Sequence, residues 1–221
     1  MKFAGATGDA SLVRAIGGKG KELPRAILVL PSGSVLVAGQ FGGEVDVSEG
    51  AVDFGRGPVA GDYDGFLLQL APDGATQWVA TFGDNGDDEI NALAVGPDGA
   101  IYASGHHQPA GNYLGLNPHG VGNFTGIVLR YSREGRGEWV RIFEGPSSAA
   151  NFLAFDDMGR LWTAGASHGI RVGAALVEPA GGLDGFALAL DPRTGEPLGA
   201  RRWGSPELDL MTAFVFWLRN L

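Results

Sequence analysis

The sequence predicts an all-β chain built from tandem four-stranded antiparallel sheets. Three observations carry that reading. A segment of about 60 residues recurs three times. Apolar residues alternate inside every copy, as strands with a buried face require. Gly supplies 38 and Pro 12 of the 221 residues, and Gly at more than twice its usual share of ~7% opposes helices. The Gly residues have no three-residue period, which excludes collagen. A hydrophobic content of 44% excludes a charge-rich disordered chain.

The first half of each copy is a hairpin. Residues 26–39 read AILVLPSGSVLVAG, residues 92–105 ALAVGPDGAIYASG, and residues 152–165 FLAFDDMGRLWTAG. Each is an apolar strand, a turn ending in Gly, a second strand, then a small residue and Gly. The turn glycines Gly33, Gly99 and Gly159 are 66 and 60 apart, and Gly39, Gly105 and Gly165 repeat that spacing.

A second hairpin follows each first one. It opens on DGFLLQLAPDG from Asp64, TGIVLRYSREG from Thr125 and DGFALALDPRTG from Asp184. It ends on TQWVATFG from Thr76, GEWVRIFEG from Gly137 and EPLGARRWG from Glu196. The Pro-Asp-Gly and Arg-Glu-Gly turns sit at hairpin spacing. Four strands, A to D, therefore fill each copy, over about 17–83, 84–144 and 145–204 of a single domain spanning 1–221. Tandem four-stranded units with two apolar faces describe the blades of a β-propeller. A sandwich is the structural competitor, but it needs no self-repeat.

The same residues resemble a known family. The order is Gly-Asp-rich turn, A-L-A-V-x-P-D-G-x-I-Y-x-[ST]-G, a long Gly-rich insert, then D-G-F-x-x-x-L-x-P-x-G and a Trp strand. That order is similar to the SBBP family of bacterial β-propeller repeats, as is the insert from Val45 to Phe66. The resemblance covers about Gly17 to Gly204. The third copy departs from it, with Asp156-Asp157-Met158-Gly159 in place of x-P-D-G and Gly199 where Trp78 and Trp139 sit. The family implies a propeller, often in surface or exported bacterial proteins, and supplies no catalytic residues.

The termini extend the pattern. Asn220 falls 61 residues after Gly159, and residues 212–221, TAFVFWLRNL, match a strand A. Met1 to Gly5 resemble the end of a strand B, and Ala10 to Ile16 match a strand D. The expectation is a composite fourth blade of 205–221 with 1–16, closing the ring as a monomer. The alternative is an open half-ring completed by a partner chain as a dimer.

Composition limits the partners. The acidic chain has 25 acidic and 16 basic residues, a net charge of −9, which disfavours nucleic acid and anionic membrane surfaces. It has no Cys, so disulfides, thiolate metal sites and cysteine nucleophiles are excluded. The longest apolar run, Met211 to Leu218, is far below the ~20 residues of a membrane span. No signal-peptide core is legible at the start. The chain reads as intracellular or as part of a longer exported protein.

In an up-down-up-down blade, the A–B and C–D turns share one face, and the B–C and D–A loops share the other. The first carries tight turns, the second the long inserts 40–63, 106–124 and 166–183. Binding is expected on the long-loop face, because loops on a rigid scaffold carry function. Two site readings follow. Arg25, Asn91, Asn151 and Thr212 each stand eight before their turn position, at the start of the innermost strand. They are candidates for a polar ring around a channel mouth. Asp84, Asn85, Asp87 and Asp88 offer oxygen ligands in a Gly-containing loop, as calcium requires, although the sister loops lack this pattern. The plain reading of that loop is a solvated turn. His106, His107, His119 and His168 all read as B–C insert residues, without a metal-ligand spacing.

No Ser-His-Asp or paired-carboxylate arrangement is in register. The expectation is therefore a non-enzymatic binding or scaffold module for a protein or carbohydrate ligand, without cofactor. The alternative is a hydrolase similar to calcium-dependent lactonase propellers. It is opposed by a ring that offers amides and Arg25 rather than carboxylates. One copy, ALALDPRTGEPLG, also resembles quinoprotein repeats, but it lacks their docking Trp.

Overall fold

The computed structural model of the chain describes residues 2–3, 10–12, 21–42, 63–83, 86–108 and 124–207. Regular structure among these residues is all β, without a helix. No helix is long and apolar enough to cross a membrane among them.

Each repeat folds into one antiparallel four-stranded sheet with neighbours in chain order. Sheet 1, after a short pair of β1 (Lys2–Phe3) with β2 (Ala10–Leu12), holds β3 (Lys21–Val29), β4 (Val35–Gly42), β5 (Asp64–Leu70) and β6 (Thr76–Phe82). Sheet 2 holds β7 (Glu89–Val95), β8 (Ile101–His107), β9 (Thr125–Tyr131) and β10 (Gly137–Ile142). Sheet 3 begins with β11 (Ser148–Phe155) and β12 (Leu161–Ser167). A small hairpin of β13 (Ile170–Val172) and β14 (Ala175–Val177) follows in the third insert, and β15 (Asp184–Leu190) and β16 (Pro197–Trp203) complete the sheet. The hairpins inside the sheets close on Gly33, Gly74, Gly99, Gly135, Gly159 and Gly195, all with φ between 71° and 87°. A side chain there is strained, so this spacing of Gly is what the turns demand.

Alternation sorts each sheet into two apolar faces, and consecutive sheets share them. Ile101, Ala103, Ile127, Leu129 and Tyr131 of sheet 2 form one cluster with Leu36, Ala38, Leu67 and Phe82 of sheet 1. From the opposite face, Tyr102, Val128 and Trp139 join Leu161, Phe186, Leu188 and Leu190 of sheet 3. Phe143 meets Phe186 edge-on at 5.6 Å. Burial of each large apolar side chain contributes roughly 1.5–3 kcal/mol, so the shared faces hold the sheets in sequence.

A tryptophan ties each sheet to the next at the tight-turn end. Trp78 Nε1 donates to the carbonyl of Arg133 at 3.1 Å. Trp139 Nε1 donates to the carbonyl of Pro192 at 3.3 Å. Both acceptors lie in the second hairpin turn of the following sheet. A Cβ on Gly135 or Gly195 would run into the Trp78 or Trp139 ring. Trp and turn Gly are thus two halves of one contact. Sheet 3 has Gly199 at the Trp position, with no heavy atom near its would-be Cβ.

Two expectations need correction. The second strand of each repeat does not end at Gly39, Gly105 or Gly165: β4 runs to Gly42, β8 to His107 and β12 to Ser167. The first strand also starts earlier, at Lys21, Glu89 and Ser148. A bulge, which alternation cannot show, interrupts the ladder and lets pairing resume beyond it. His106 and His107 are consequently strand residues rather than insert residues.

Candidate functional site

The bulges build the site. In sheet 1, Pro24 pairs Gly39 and Ala26 pairs Ala38, leaving Arg25 as the extra residue. In sheet 2, Ile90 pairs Gly105 and Ala92 pairs Ser104, leaving Asn91. In sheet 3, Ala150 pairs Gly165 and Phe152 pairs Ala164, leaving Asn151. A bulge re-aims the side chain it carries. Opposite each one stands the repeated Gly. A Cβ on Gly39, Gly105 or Gly165 would strike the carbonyl oxygen of Leu23, Glu89 or Ala149 respectively. The glycine admits the close backbone approach, and the bulge turns the polar residue out of the ladder.

All three bulged residues line one cleft of about 480 Å³. Ala26, Ile27, Ala92, Leu93, Phe152, Leu153 and Ala154 complete its walls. Its volume falls in the range of small-molecule sites, roughly 300–1,000 Å³. Asn91 Nδ2 donates to Asn151 Oδ1 at 3.1 Å, across two sheets and 60 residues. Arg25, Asn91 and Asn151 thus line one cleft together. Thr212 lies outside the described residues. The structure places the ring residues inside their strands, at the bulges, rather than at the strand starts.

Glu89 is the site residue that sequence reasoning missed. Arg25 Nε donates to Glu89 Oε1 between sheets 1 and 2. The Glu89 side chain is 8% exposed and that of Arg25 48%. Glu89 therefore anchors the stem of an outward-facing guanidinium. Behind it, His106 Nε2 lies 4.0 Å from Glu89 Oε2, directly across the β7–β8 ladder. The His106 ring meets Phe124 edge-on at 5.0 Å. Burial pushes its pKa down to about 4, with His107 and then Arg25 adding to the effect. The imidazole is neutral at pH 7.

The acidic loop is only partly described. Asp84 and Asn85 lie outside the described residues. Asp88 is fully buried and its N–H donates to Tyr63 O at 2.9 Å. The carbonyl of Asp87 accepts from Gln108 N at 3.1 Å. These two residues belong to a bridge between chain segments rather than to a solvated turn. A Cβ on Gly83 would collide with both Asp64 and Asp88. Among the described residues no three His, Cys, Asp or Glu side chains are grouped to hold a metal ion. His168 is exposed, and its backbone N–H donates to Ser147 O at 3.0 Å.

The cleft can form hydrogen bonds through amides and a guanidinium beside apolar walls. Among the described residues, the groups that line it include no hydroxyl, thiol or imidazole nucleophile. Compared with protein-family models and with curated proteins, the chain matches none.

Proposed function

We propose that the chain is a non-enzymatic β-propeller binding module, related to the SBBP repeats, that takes its ligand in the cleft lined by the bulged first strands. One observation carries the reading: three bulges at one repeat position turn Arg25, Asn91 and Asn151 onto one cleft. A repeated strand fault that repeatedly delivers polar side chains to a cavity is a binding device rather than a packing accident. A lactonase-like hydrolase would need a cation on the axis, and Arg25 opposes one there. A fragment screen by ligand-observed NMR on the purified chain tests the reading. Fragments lost on Asn91→Ala and Asn151→Ala support it. Binding that ignores both substitutions, or lactone turnover abolished by Asn91→Ala, overturns it.

The propeller itself rests on the faces that sheets 1 and 3 do not share with sheet 2. Val35, Val37, Phe41, Phe66, Leu68, Leu70 and Val79 form a third apolar cluster on the far face of sheet 1. On that face Ile27 and Val29 are each 67% exposed. Their repeat counterparts, Leu93 and Val95 in sheet 2, and Leu153 and Phe155 in sheet 3, pack into the shared cores. Sheet 3 offers Trp162, Ala164, Ala187 and Ala189 on its own far face. The expected composite blade draws its first strand from residues 212–218, which lie outside the described residues and carry Phe214, Val215, Phe216 and Trp217. The pair β1–β2 then supplies the outer strands of a fourth, composite blade. The chain lacks Cys, so Ile27→Cys with Val215→Cys and a short bis-maleimide tests this directly. An intramolecular cross-link supports the closed monomer, an intermolecular one the half-ring dimer, and none of either kind overturns the composite blade.

A further inference from the structure

We propose that the cleft selects an uncharged sugar, bound through neighbouring hydroxyls by Asn91, Asn151 and Arg25. The inference rests on the binding reading above and concerns the chemistry of the ligand.

Hydrogen bonding within the site leaves a defined set of groups open. The Asn91–Asn151 bond uses one amide hydrogen of Asn91 and the carbonyl of Asn151. Asn91 Oδ1 remains as an acceptor and Asn151 Nδ2 as a donor. Arg25 spends Nε on Glu89, and its two Nη nitrogens carry no partner among the described residues. The open set is therefore amide carbonyl acceptors beside several donors within a single cleft. A hydroxyl both donates and accepts, whereas a carboxylate only accepts and an ammonium only donates. Two adjacent hydroxyls satisfy the set, one donating to Asn91 Oδ1 and its neighbour accepting from Asn151 Nδ2. A third hydroxyl oxygen can accept from Arg25.

Charge points the same way. Glu89 already neutralises Arg25, so an anion meets a pair with no net charge, on a chain of net charge −9. An ammonium only donates, and would leave the donors of Asn151 and Arg25 unmatched. A wholly apolar ligand would strip water from three polar side chains and return no hydrogen bonds, at a cost of roughly 1–3 kcal/mol for each group. The walls supply the rest of a sugar site. Leu93, Phe152 and Leu153 present apolar surface beside the amides, suited to the C–H face of a pyranose ring. An open cleft of about 480 Å³ is of the size that takes a small molecule, while a protein partner needs a broad surface of roughly 800 Å² per side.

The test is titration of the full chain with neutral methyl glycosides and disaccharides, beside glucuronate, acetate and a short acidic peptide, at low and high salt. A neutral glycoside should bind with an affinity that salt leaves unchanged. Asn151→Ala should weaken it about tenfold, the loss expected for one hydrogen bond with its partner left unpaired. Asn151→Asp keeps the side-chain shape, removes the donor and should weaken it comparably in a chain whose melting temperature is unchanged. Salt-sensitive binding of glucuronate or acetate alone would overturn the sugar and keep the cleft as an anion site. Binding of the peptide alone would overturn it in favour of a protein ligand. No binding by any of these probes would overturn the sugar, while fragments still lost on Asn91→Ala would leave the binding module standing. A glycoside indifferent to both Asn substitutions would overturn the assignment to this cleft.

Discussion

Asn91 and Asn151 occupy the same place in successive repeats, and their side-chain amides meet at 3.1 Å. Each is the extra residue of a β-bulge opposite a glycine. The motif Gly and the polar residue are therefore one mechanism, seen from the two strands that form it. That coupling can be broken from either side.

Gly105→Ala should reset the bulge, because the new methyl would strike the Glu89 carbonyl. The expected cost is roughly 1–3 kcal/mol, that of a core position overfilled by one methyl. Asn91 should leave the cleft with it. Gly199→Ala is the contrast, since nothing lies near its would-be Cβ. It should be neutral, or stabilise the strand by up to roughly 1 kcal/mol. Urea midpoints of the two variants decide the point.

The tryptophan contacts between sheets should be unequal. Trp139 is 9% exposed, so Trp139→Ala should cost roughly 3–5 kcal/mol. Trp78 is only half-buried, and Trp78→Ala should cost less while keeping the same sign. A chemical denaturation series on both variants provides the ranking. Equal and negligible losses would show that the sheets are held by their shared faces alone.

Arg25 and Glu89 should behave as a coupled pair. Arg25→Gln leaves a nearly buried carboxylate without its guanidinium, and should destabilise by roughly 1–3 kcal/mol once the exposure of Arg25 is discounted. Glu89→Gln frees the guanidinium and should cost less. The double substitution should recover part of the Arg25→Gln loss. A double-mutant cycle from thermal melts measures that coupling.

Stability should fall with acid. His106 is held neutral by burial down to about pH 4, against 6.5 for the ordinary imidazole. Between those values the unfolded chain binds a proton that the native one refuses. The stabilising difference is therefore complete above pH 6.5 and drains away as pH falls toward 4, by roughly 3 kcal/mol in all. Arg25 and His107 face the ring and oppose its protonation, while Glu89 lies 4.0 Å away and favours it. Burial lowers the His107 pKa too, which adds to the same slope. His106→Gln should flatten the pH dependence of the urea midpoint across this window.

The strands were legible in the sequence because a buried strand writes a two-residue period, and the turns because a left-handed position selects Gly. Leu67 and Phe66 announce two faces by alternation alone, and Gly33, Gly99 and Gly159 mark their hairpins. Arg25, Asn91 and Asn151 were legible as a group because a repeat places equivalent residues in equivalent positions. Spacing therefore stands in for distance.

What spacing does not carry is the path of the backbone between those positions. The bulges arise because the Gly39, Gly105 and Gly165 backbones come within contact of the facing strand, and nothing in alternation marks an unpaired residue. Glu89 shows the same limit. It lies 64 residues from Arg25 in the chain and has no counterpart at its position in the other repeats, since Leu23 and Ala149 stand there. Only the packing of sheet 2 against sheet 1 brings its carboxylate to the guanidinium. The sequence alone determined that there would be repeated sheets and which residues recur in them. Tertiary structure decided that the recurring polar residues leave their ladders, share one cleft, and face it with Arg25 already neutralised, because those outcomes depend on how separate sheets approach one another.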